Sequence, residues 1–158
     1  MSAIHYECRP EEYLLTNLGF AGALAQHHNG SGTICELLSK EEGLIGWIDE
    51  DPTANHHPYY KRMYKKNISD RYGLRYCYDP ATGNKLIIVK PKMEDWITGI
   101  AKKYKLNLED YELSNDPNEL HKIINFKINK FQEVLHKLVK LKAKELLHAQ
   151  AIILDKIK

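Results

Sequence analysis

In the first hundred residues, short apolar runs alternate with stretches in which the apolar residues have helical spacing. Three of the runs predict strands, and the two stretches between them predict amphipathic helices. The strands fall at residues 3–8, 24–28 and 43–48, and the helices at residues 11–18 and 33–40. Ser31 precedes the second helix and is expected to cap it. This alternation of strand and helix is typical of an α/β domain with a parallel sheet.

The middle of the chain predicts a hairpin beside a basic segment. Residues 74–78 and 85–90 are strand-like, and the proline and glycine between them suit a hairpin connection. The basic segment, residues 59–71, is expected to be helical. After the second strand, an amphipathic helix is expected to extend to about residue 104.

The C-terminal part has a mostly helical pattern. Asp116 and Pro117 have the arrangement of an N-cap and a first turn, and a break is expected near residues 125–129. We therefore expect a Rossmann-like, mostly parallel sheet flanked by helices, with an added β-hairpin and C-terminal helices. Residues 1–110 would form the α/β domain, and residues 111–158 a helical extension packed on it.

Composition restricts the class of protein. A chain of 158 residues with 43% apolar and 28% charged residues can bury one ordinary core, which excludes a disordered protein. No apolar stretch approaches the roughly 20 residues of a membrane-spanning helix, and the first residues lack the pattern of a secretory signal. We expect a cytoplasmic protein. Its three cysteines form no C-x-x-C pair and are expected to be buried thiols rather than disulfides or zinc ligands.

Charge is distributed unevenly along the chain. Residues 117–158 contain nine lysines against four acidic residues, although the net charge of the whole chain is only +2. A second basic cluster lies in the middle of the chain and includes Lys61, Arg62, Lys65, Lys66 and Arg71. Such a cluster suits the phosphates of a nucleic acid, whereas the alternative is a solvated helix face.

Acidic residues follow the predicted strands. Glu7 ends the first strand, Asp49 and Asp51 follow the third, and Glu94 and Asp95 follow the last. If these strands are parallel neighbours, all five carboxylates lie along one edge of the sheet, where they repel one another unless Mg²⁺ or Mn²⁺ neutralises them. The alternative is that these acids cap helices or form ion pairs.

The order of these acids resembles the TOPRIM fold, which occurs in topoisomerases, bacterial primases and the small nucleases related to the overcoming-lysogenization-defect family. In that fold one strand ends in Glu, often with an acid four residues later, and a later strand ends in D-x-D. Glu7 with Glu11, and Asp49 with Asp51, are similar to these motifs. Residues 91–95 look like the proline and acidic helix start of the nuclease branch.

The resemblance implies a Mg²⁺-dependent nuclease, or a related enzyme that transfers phosphodiesters of nucleic acid. It implies that Glu7, Asp49 and Asp51 hold the ion, and that Glu94, or Asp95, holds a second ion or assists as base. The alternative is a non-catalytic interaction protein with this fold. Such a protein would dock on an ATPase partner, or on a second copy of itself, through its basic C-terminal helices.

Overall fold

A six-stranded sheet forms the centre of the computed structural model, which describes residues 2–156. In chain order the strands are Ile4–Tyr6 (β1), Ala25–His27 (β2), Ile45–Asp49 (β3), Asn67–Arg71 (β4), Leu74–Asp79 (β5) and Asn84–Val89 (β6). Their order across the sheet is β2-β1-β3-β6-β5-β4. The first four in that order are parallel, and β5 and β4 add an antiparallel edge. The expected α/β architecture with a mostly parallel sheet is confirmed, and it is consistent with a Rossmann-like fold.

Seven α-helices connect and cover the strands. They are Arg9–Asn17 (α1), Ser31–Lys40 (α2), Pro58–Tyr64 (α3), Met93–Lys103 (α4), Pro117–Ile123 (α5), Ile128–Lys140 (α6) and Lys144–Ile153 (α7). Short 3-10 helices lie at Gly22–Leu24, Leu108–Tyr111 and Ile124–Lys127. Within residues 2–156, none of these helices combines the length and the apolar character that crossing a bilayer requires.

Apolar side chains cover both faces of the central strands. In β3, Trp47 packs on the face covered by α1 and α4–α7, whereas Ile48 packs on the face covered by α2 and α3. Ile87 and Ile88 of β6 divide between the two faces in the same way. Because successive strand residues point to opposite faces, a strand buried on both sides must be apolar throughout. This explains why the sequence of β3 and β6 shows continuous apolar runs.

The C-terminal helices share the core of the sheet. Phe131 and Leu135 of α6 and Ala149 of α7 are buried in the cluster that also contains Trp47. The side-chain amide of Gln150 donates to the carbonyl of Leu18, just beyond α1, over 2.9 Å. Residues 117–153 therefore pack on the same face as α1 and α4.

The predicted helix over residues 59–71 is wrong beyond Tyr64. Residues 67–71 form β4, which pairs with β5 in an antiparallel hairpin. The turn between them contains Tyr72 and Gly73 with φ angles of 58° and 74°. Two consecutive residues with positive φ suit a tight hairpin turn, so turn geometry and cross-strand pairing override the helical pattern of the basic segment.

Helix boundaries match the sequence prediction at two sites and differ at a third. Asp116 caps α5 as predicted, because its carboxylate accepts from the backbone N–H of Asn118 over 3.1 Å. The predicted break near residues 125–129 is confirmed by the 3-10 helix at Ile124–Lys127. The prediction that Ser31 caps α2 is wrong: Gly30 occupies the N-cap position with a φ of 102°, and Ser31 is the first helical residue. Glycine adopts this conformation at low cost.

The turn between β4 and β5 is held by Trp96 of α4. The indole Nε1 donates to the carbonyl of Tyr72 over 2.8 Å. A Cβ atom added at Gly73 would lie 2.6 Å from Cδ1 of the same indole. Gly73 is thus required both by its positive φ and by close packing.

We expect Gly73→Ala to lower the free energy of unfolding by about 2 kcal/mol, because it adds overpacking to left-handed strain. Gly99→Ala is the matched control, since Gly99 lies inside α4 with open space at its Cβ position. Alanine favours helix by up to about 1 kcal/mol over glycine, so this control should be stabilising. Chemical denaturation of both variants measures the difference. Equal stability of Gly73→Ala and wild type would contradict the role given to Trp96.

Candidate metal centre

Two acidic residues leave neighbouring parallel strands at the same edge of the sheet. β1 pairs with β3 through Ile4 with Ile45 and His5 with Gly46. Glu7 directly follows β1, and Asp49 is the last residue of β3. The backbone N–H of Asp49 lies 3.4 Å from Oε1 of Glu7. Parallel pairing therefore places these two carboxylates together, as expected for the ligand-binding edge of an α/β sheet.

Glu11 of α1 is a third carboxylate at this edge. Its Oε2 accepts from the backbone N–H groups of Glu7 over 3.0 Å and Cys8 over 3.3 Å, at the start of the helix. Glu11 is fully buried, and its other oxygen, Oε1, has no hydrogen-bond partner among residues 2–156. One oxygen of the carboxylate thus stabilises the helix start, and the other oxygen lacks a hydrogen-bond donor.

These three side chains form the acidic cluster, defined as Glu7, Glu11 and Asp49. Each offers one carboxylate oxygen, and the three oxygens lie within 4.8 Å of one another. That separation allows one cation to contact all three, since hard divalent cations bind carboxylate oxygens at about 2.0–2.6 Å. The acidic cluster could therefore hold a metal ion.

Burial and mutual repulsion disfavour the charged forms of the cluster. The pKa of Asp49 is raised to about 8, first by burial and then by the charges of Glu7 and Glu94. Burial also raises the pKa of Glu11 well above its usual value, and Asp49 and Glu7 raise it further. The pKa of Glu7 is raised by burial, although hydrogen bonds from the N–H groups of Asp49 and Ser31 oppose the shift. A nearby cation would reverse the sign of this effect.

A cavity of about 390 Å³, called the acidic cavity below, opens over Glu7 and Asp49, whereas the fully buried Glu11 does not line it. Its remaining walls come from α2, from the segment after β3, from the starts of α1 and α4, and from the C-terminal helices. They include Cys8, Pro10, Ser31, Asp51, Lys92, Glu94, His121, Ile124 and Asn125. Cys8, expected to be buried, is partly exposed here, whereas Cys35 and Cys77 are buried. Burial raises the pKa of the Cys8 thiol, so Cys8 contributes a neutral wall.

Asp51 lies at the rim of this cavity rather than in the acidic cluster. Its backbone has a φ of 41°, and its N–H donates to the carbonyl of Pro91 over 2.9 Å. Its carboxylate accepts from the hydroxyl of Thr53 over 3.3 Å and lies 3.9 Å from Nζ of Lys92. The chain turns at Asp51, so Glu11, and not Asp51, completes the closest group of three carboxylates.

Glu94 and Asp95 lie on different sides of the start of α4. Glu94 is buried and lines the acidic cavity, with its Oε1 2.9 Å from Nδ1 of His121 on α5. Asp95 lines a separate cavity of about 690 Å³ together with Thr98 and Lys102. Adjacent helix positions point about 100° apart, which explains the separation. The sequence alone did not identify the contact between Glu94 and His121.

The predicted nucleic-acid-binding residues divide between three elements. Lys61 and Arg62 lie in the last turn of α3, and Lys65 and Lys66 follow it. Arg71 is at the end of β4. Its guanidinium lies 4.7 Å from the ring centroid of Tyr72. The basic residues therefore do not share one helix face, because the chain changes from helix to strand within the segment.

Comparison with known proteins adds no relative. No protein-family model, curated protein or solved structure matches the chain. The functional interpretation therefore depends on the geometry of the acidic cavity.

We expect the metal-free protein to lose stability as pH rises from about 4 to about 8. An acid with a raised folded-state pKa binds its proton more tightly in the folded protein, so unfolding becomes easier as the unfolded state ionises first. At a pH above both pKa values, each unit by which folding raises the pKa lowers the free energy of unfolding by about 1.4 kcal/mol. Asp49→Asn, whose amide oxygen can still accept from the N–H of Met93, should therefore raise the free energy of unfolding at pH 8 by at least that amount.

Denaturation in EDTA at pH 5 and at pH 8 measures this effect. Asp49→Asn should exceed wild type in its free energy of unfolding by a large amount at pH 8 and by a smaller amount at pH 5. A loss of stability in Asp49→Asn at both pH values would show that the carboxylate is a structural partner instead.

Proposed function

We propose that this protein is a divalent-cation-dependent enzyme that cleaves or transfers phosphodiester bonds in nucleic acid, with Mg²⁺ or Mn²⁺ as its cofactor. The observation that carries the proposal is the group of three carboxylate oxygens, one each from Glu7, Glu11 and Asp49, that lie within 4.8 Å of one another. A cation bound between them would offset the repulsion among these carboxylates. Oxygen-only ligands favour a hard cation such as Mg²⁺ or Mn²⁺ over zinc or copper.

The surrounding cavity suits a phosphodiester. It opens to solvent at the carboxyl edge of the sheet, and Lys92 places an ammonium at its rim beside Asp51. A bound Mg²⁺ would neutralise charge on the phosphodiester and stabilise the leaving oxygen. In the proposed reaction Glu7, Glu11 and Asp49 hold the ion, and Lys92 contacts a phosphate oxygen.

Glu94 is the proposed base. Its carboxylate is buried on the cavity wall, and His121 contacts it over 2.9 Å. A carboxylate held in one orientation can accept a proton from a water molecule that attacks the phosphorus. His121 then serves as a positioning residue, since it fixes the carboxylate through one hydrogen bond.

Topology supports the resemblance to TOPRIM nucleases. The strand that precedes Glu7 and the strand that ends in Asp49 are parallel neighbours, and an acid follows Glu7 by four residues on α1. We propose a TOPRIM-like nuclease on this basis. The same proposal includes nucleic acid as the binding partner and the cytoplasm as the location of the protein.

A second candidate function is docking on an ATPase or on another copy of the chain through the C-terminal helices. One observation favours it: Phe126 is 88% exposed in the 3-10 helix between α5 and α6. Exposed aromatic residues are frequent anchors in protein interfaces. A docking protein of this kind needs neither a bound cation nor catalysis, so the experiments below distinguish the two functions.

Removing one carboxylate from the acidic cluster should weaken cation binding without unfolding α1. Glu11→Gln keeps an oxygen that can accept from the N–H groups of Glu7 and Cys8. We expect Glu11→Gln and Asp49→Asn each to weaken Mn²⁺ binding at least about tenfold in calorimetric titration, because one of three charged ligands is lost. Asp95→Asn is the control and should bind Mn²⁺ with wild-type affinity. Unchanged Mn²⁺ affinity in both cluster variants would exclude the site.

Cleavage of labelled single-stranded and duplex oligonucleotides tests catalysis itself. We expect product in Mg²⁺ or Mn²⁺ and none in EDTA, and a loss of about 100-fold or more in Asp49→Asn, since stabilisation by the cation contributes several kcal/mol. Asp95→Asn should again retain wild-type activity. Tight Mn²⁺ binding without cleavage of any oligonucleotide would favour the docking function.

A further inference from the structure

A groove with aromatic walls lies beside the segment that carries Asp49 and Asp51. It has a volume of about 470 Å³ and is lined by His56, Tyr60 and Tyr64 together with Lys61 and Lys65. Its size is in the usual range for pockets that bind organic ligands, about 300–1,000 Å³. The sequence indicated the two lysines but not the aromatic groove.

The aromatic rings of the groove are held in fixed positions. The rings of His56 and Tyr60 stack with centroids 3.8 Å apart and planes 11° apart, and Tyr64 lies 5.6 Å from Tyr60. The guanidinium of Arg75 lies 3.8 Å from the centroid of Tyr64 and donates to its carbonyl over 2.7 Å. Tyr60 is buried, whereas His56 and Tyr64 are partly exposed. A further planar group can therefore stack here without reordering the rings.

The rim of the groove carries cations without ion-pair partners among the described residues, while the carboxylate of Glu50 lines the groove and accepts from the hydroxyl of Tyr64 over 3.3 Å. Lys61, Arg62 and Lys65 are exposed, and none has a carboxylate within ion-pair distance in the part of the chain that the structure describes. By contrast, Lys66 lies 3.8 Å from Asp79. Free ammonium groups beside aromatic rings are the combination that binds single-stranded nucleic acid, with phosphates on the cations and bases on the rings.

The groove and the acidic cavity adjoin across one short segment. Glu50 and Pro52 line the groove, whereas Asp49 and Asp51 line the cavity. A strand that crosses this segment can therefore place one phosphate near the acidic cluster and a neighbouring base in the groove.

We propose that this groove binds an unpaired base of single-stranded nucleic acid, while Lys61 and Lys65 contact the adjacent phosphates. The inference deepens the proposed function and rests on it for the path of the strand toward the acidic cluster. Bases in a duplex are stacked and paired, so they cannot enter the groove without being extruded. The groove thus selects single strands or unpaired regions.

Binding of a fluorescein-labelled oligothymidylate in EDTA, followed by anisotropy, tests the groove without cation or catalysis. We expect the single strand to bind more tightly than a duplex of equal length. His56→Ala and Tyr64→Leu should each weaken single-strand binding about tenfold, because they remove a stacking surface. His56→Phe should retain binding. His27→Ala is the matched control, since His27 is an exposed histidine outside the groove.

The salt dependence of single-strand affinity separates the contribution of base stacking from that of phosphate contacts. His56→Ala should leave the slope of log affinity against log salt unchanged, whereas Lys61→Ala should reduce it by about 0.7. No measurable single-strand affinity at low salt, wild-type affinity in both His56→Ala and Tyr64→Leu, or preference for duplex would overturn the inference. Because EDTA is present, loss of cation binding at the acidic cluster cannot produce any of these results, and the two proposals fail independently.

Discussion

The parallel pairing of β1 with β3 is the constraint on which the acidic cavity depends. It brings together Glu7 and Asp49, two carboxylates that are 42 positions apart in the chain. Gly46 lets α2 pack closely on β3, because a Cβ atom there would lie 3.0 Å from Leu86 and 3.2 Å from Ile34 of α2. Close approach of α2 also brings the N–H of Ser31 to Glu7. Packing of the sheet thus forces like charges into a partly desolvated place, where they cost free energy unless a cation is present.

Glu11 connects the stability of the fold with this electrostatic cost. One of its oxygens serves the start of α1, and the loss of such a cap typically costs about 1 kcal/mol. The other oxygen is buried without a donor, and leaving such a group unsatisfied costs about 1–3 kcal/mol. The two effects are of similar size and opposite sign. Glutamine could provide the same cap, so the start of the helix does not account for the unpartnered second oxygen.

The sequence predicts the parts of this structure that depend on local pattern. The ends of apolar runs placed Glu7 and Asp49 at strand ends, and the alternation of elements predicted the mostly parallel sheet. Spacing could not show that Glu11 turns its carboxylate toward β3, because any acid in a first helical turn has the same pattern. The backbone turn at Asp51, with positive φ, and the contact of Glu94 with a helix 27 residues later depend on tertiary packing.

The basic segment shows how an incorrect element assignment affects a functional interpretation. As one helix, residues 59–71 would present a continuous cationic face that binds phosphates and no bases. Because the chain leaves the helix after Tyr64 and returns as β4, Arg75 of β5 can reach back to the ring and the carbonyl of Tyr64. That contact fixes an aromatic wall between the cations and the segment bearing Asp49. The hairpin therefore places the aromatic rings of Tyr60 and Tyr64 beside Lys61 and Lys65, next to the segment that carries Asp49.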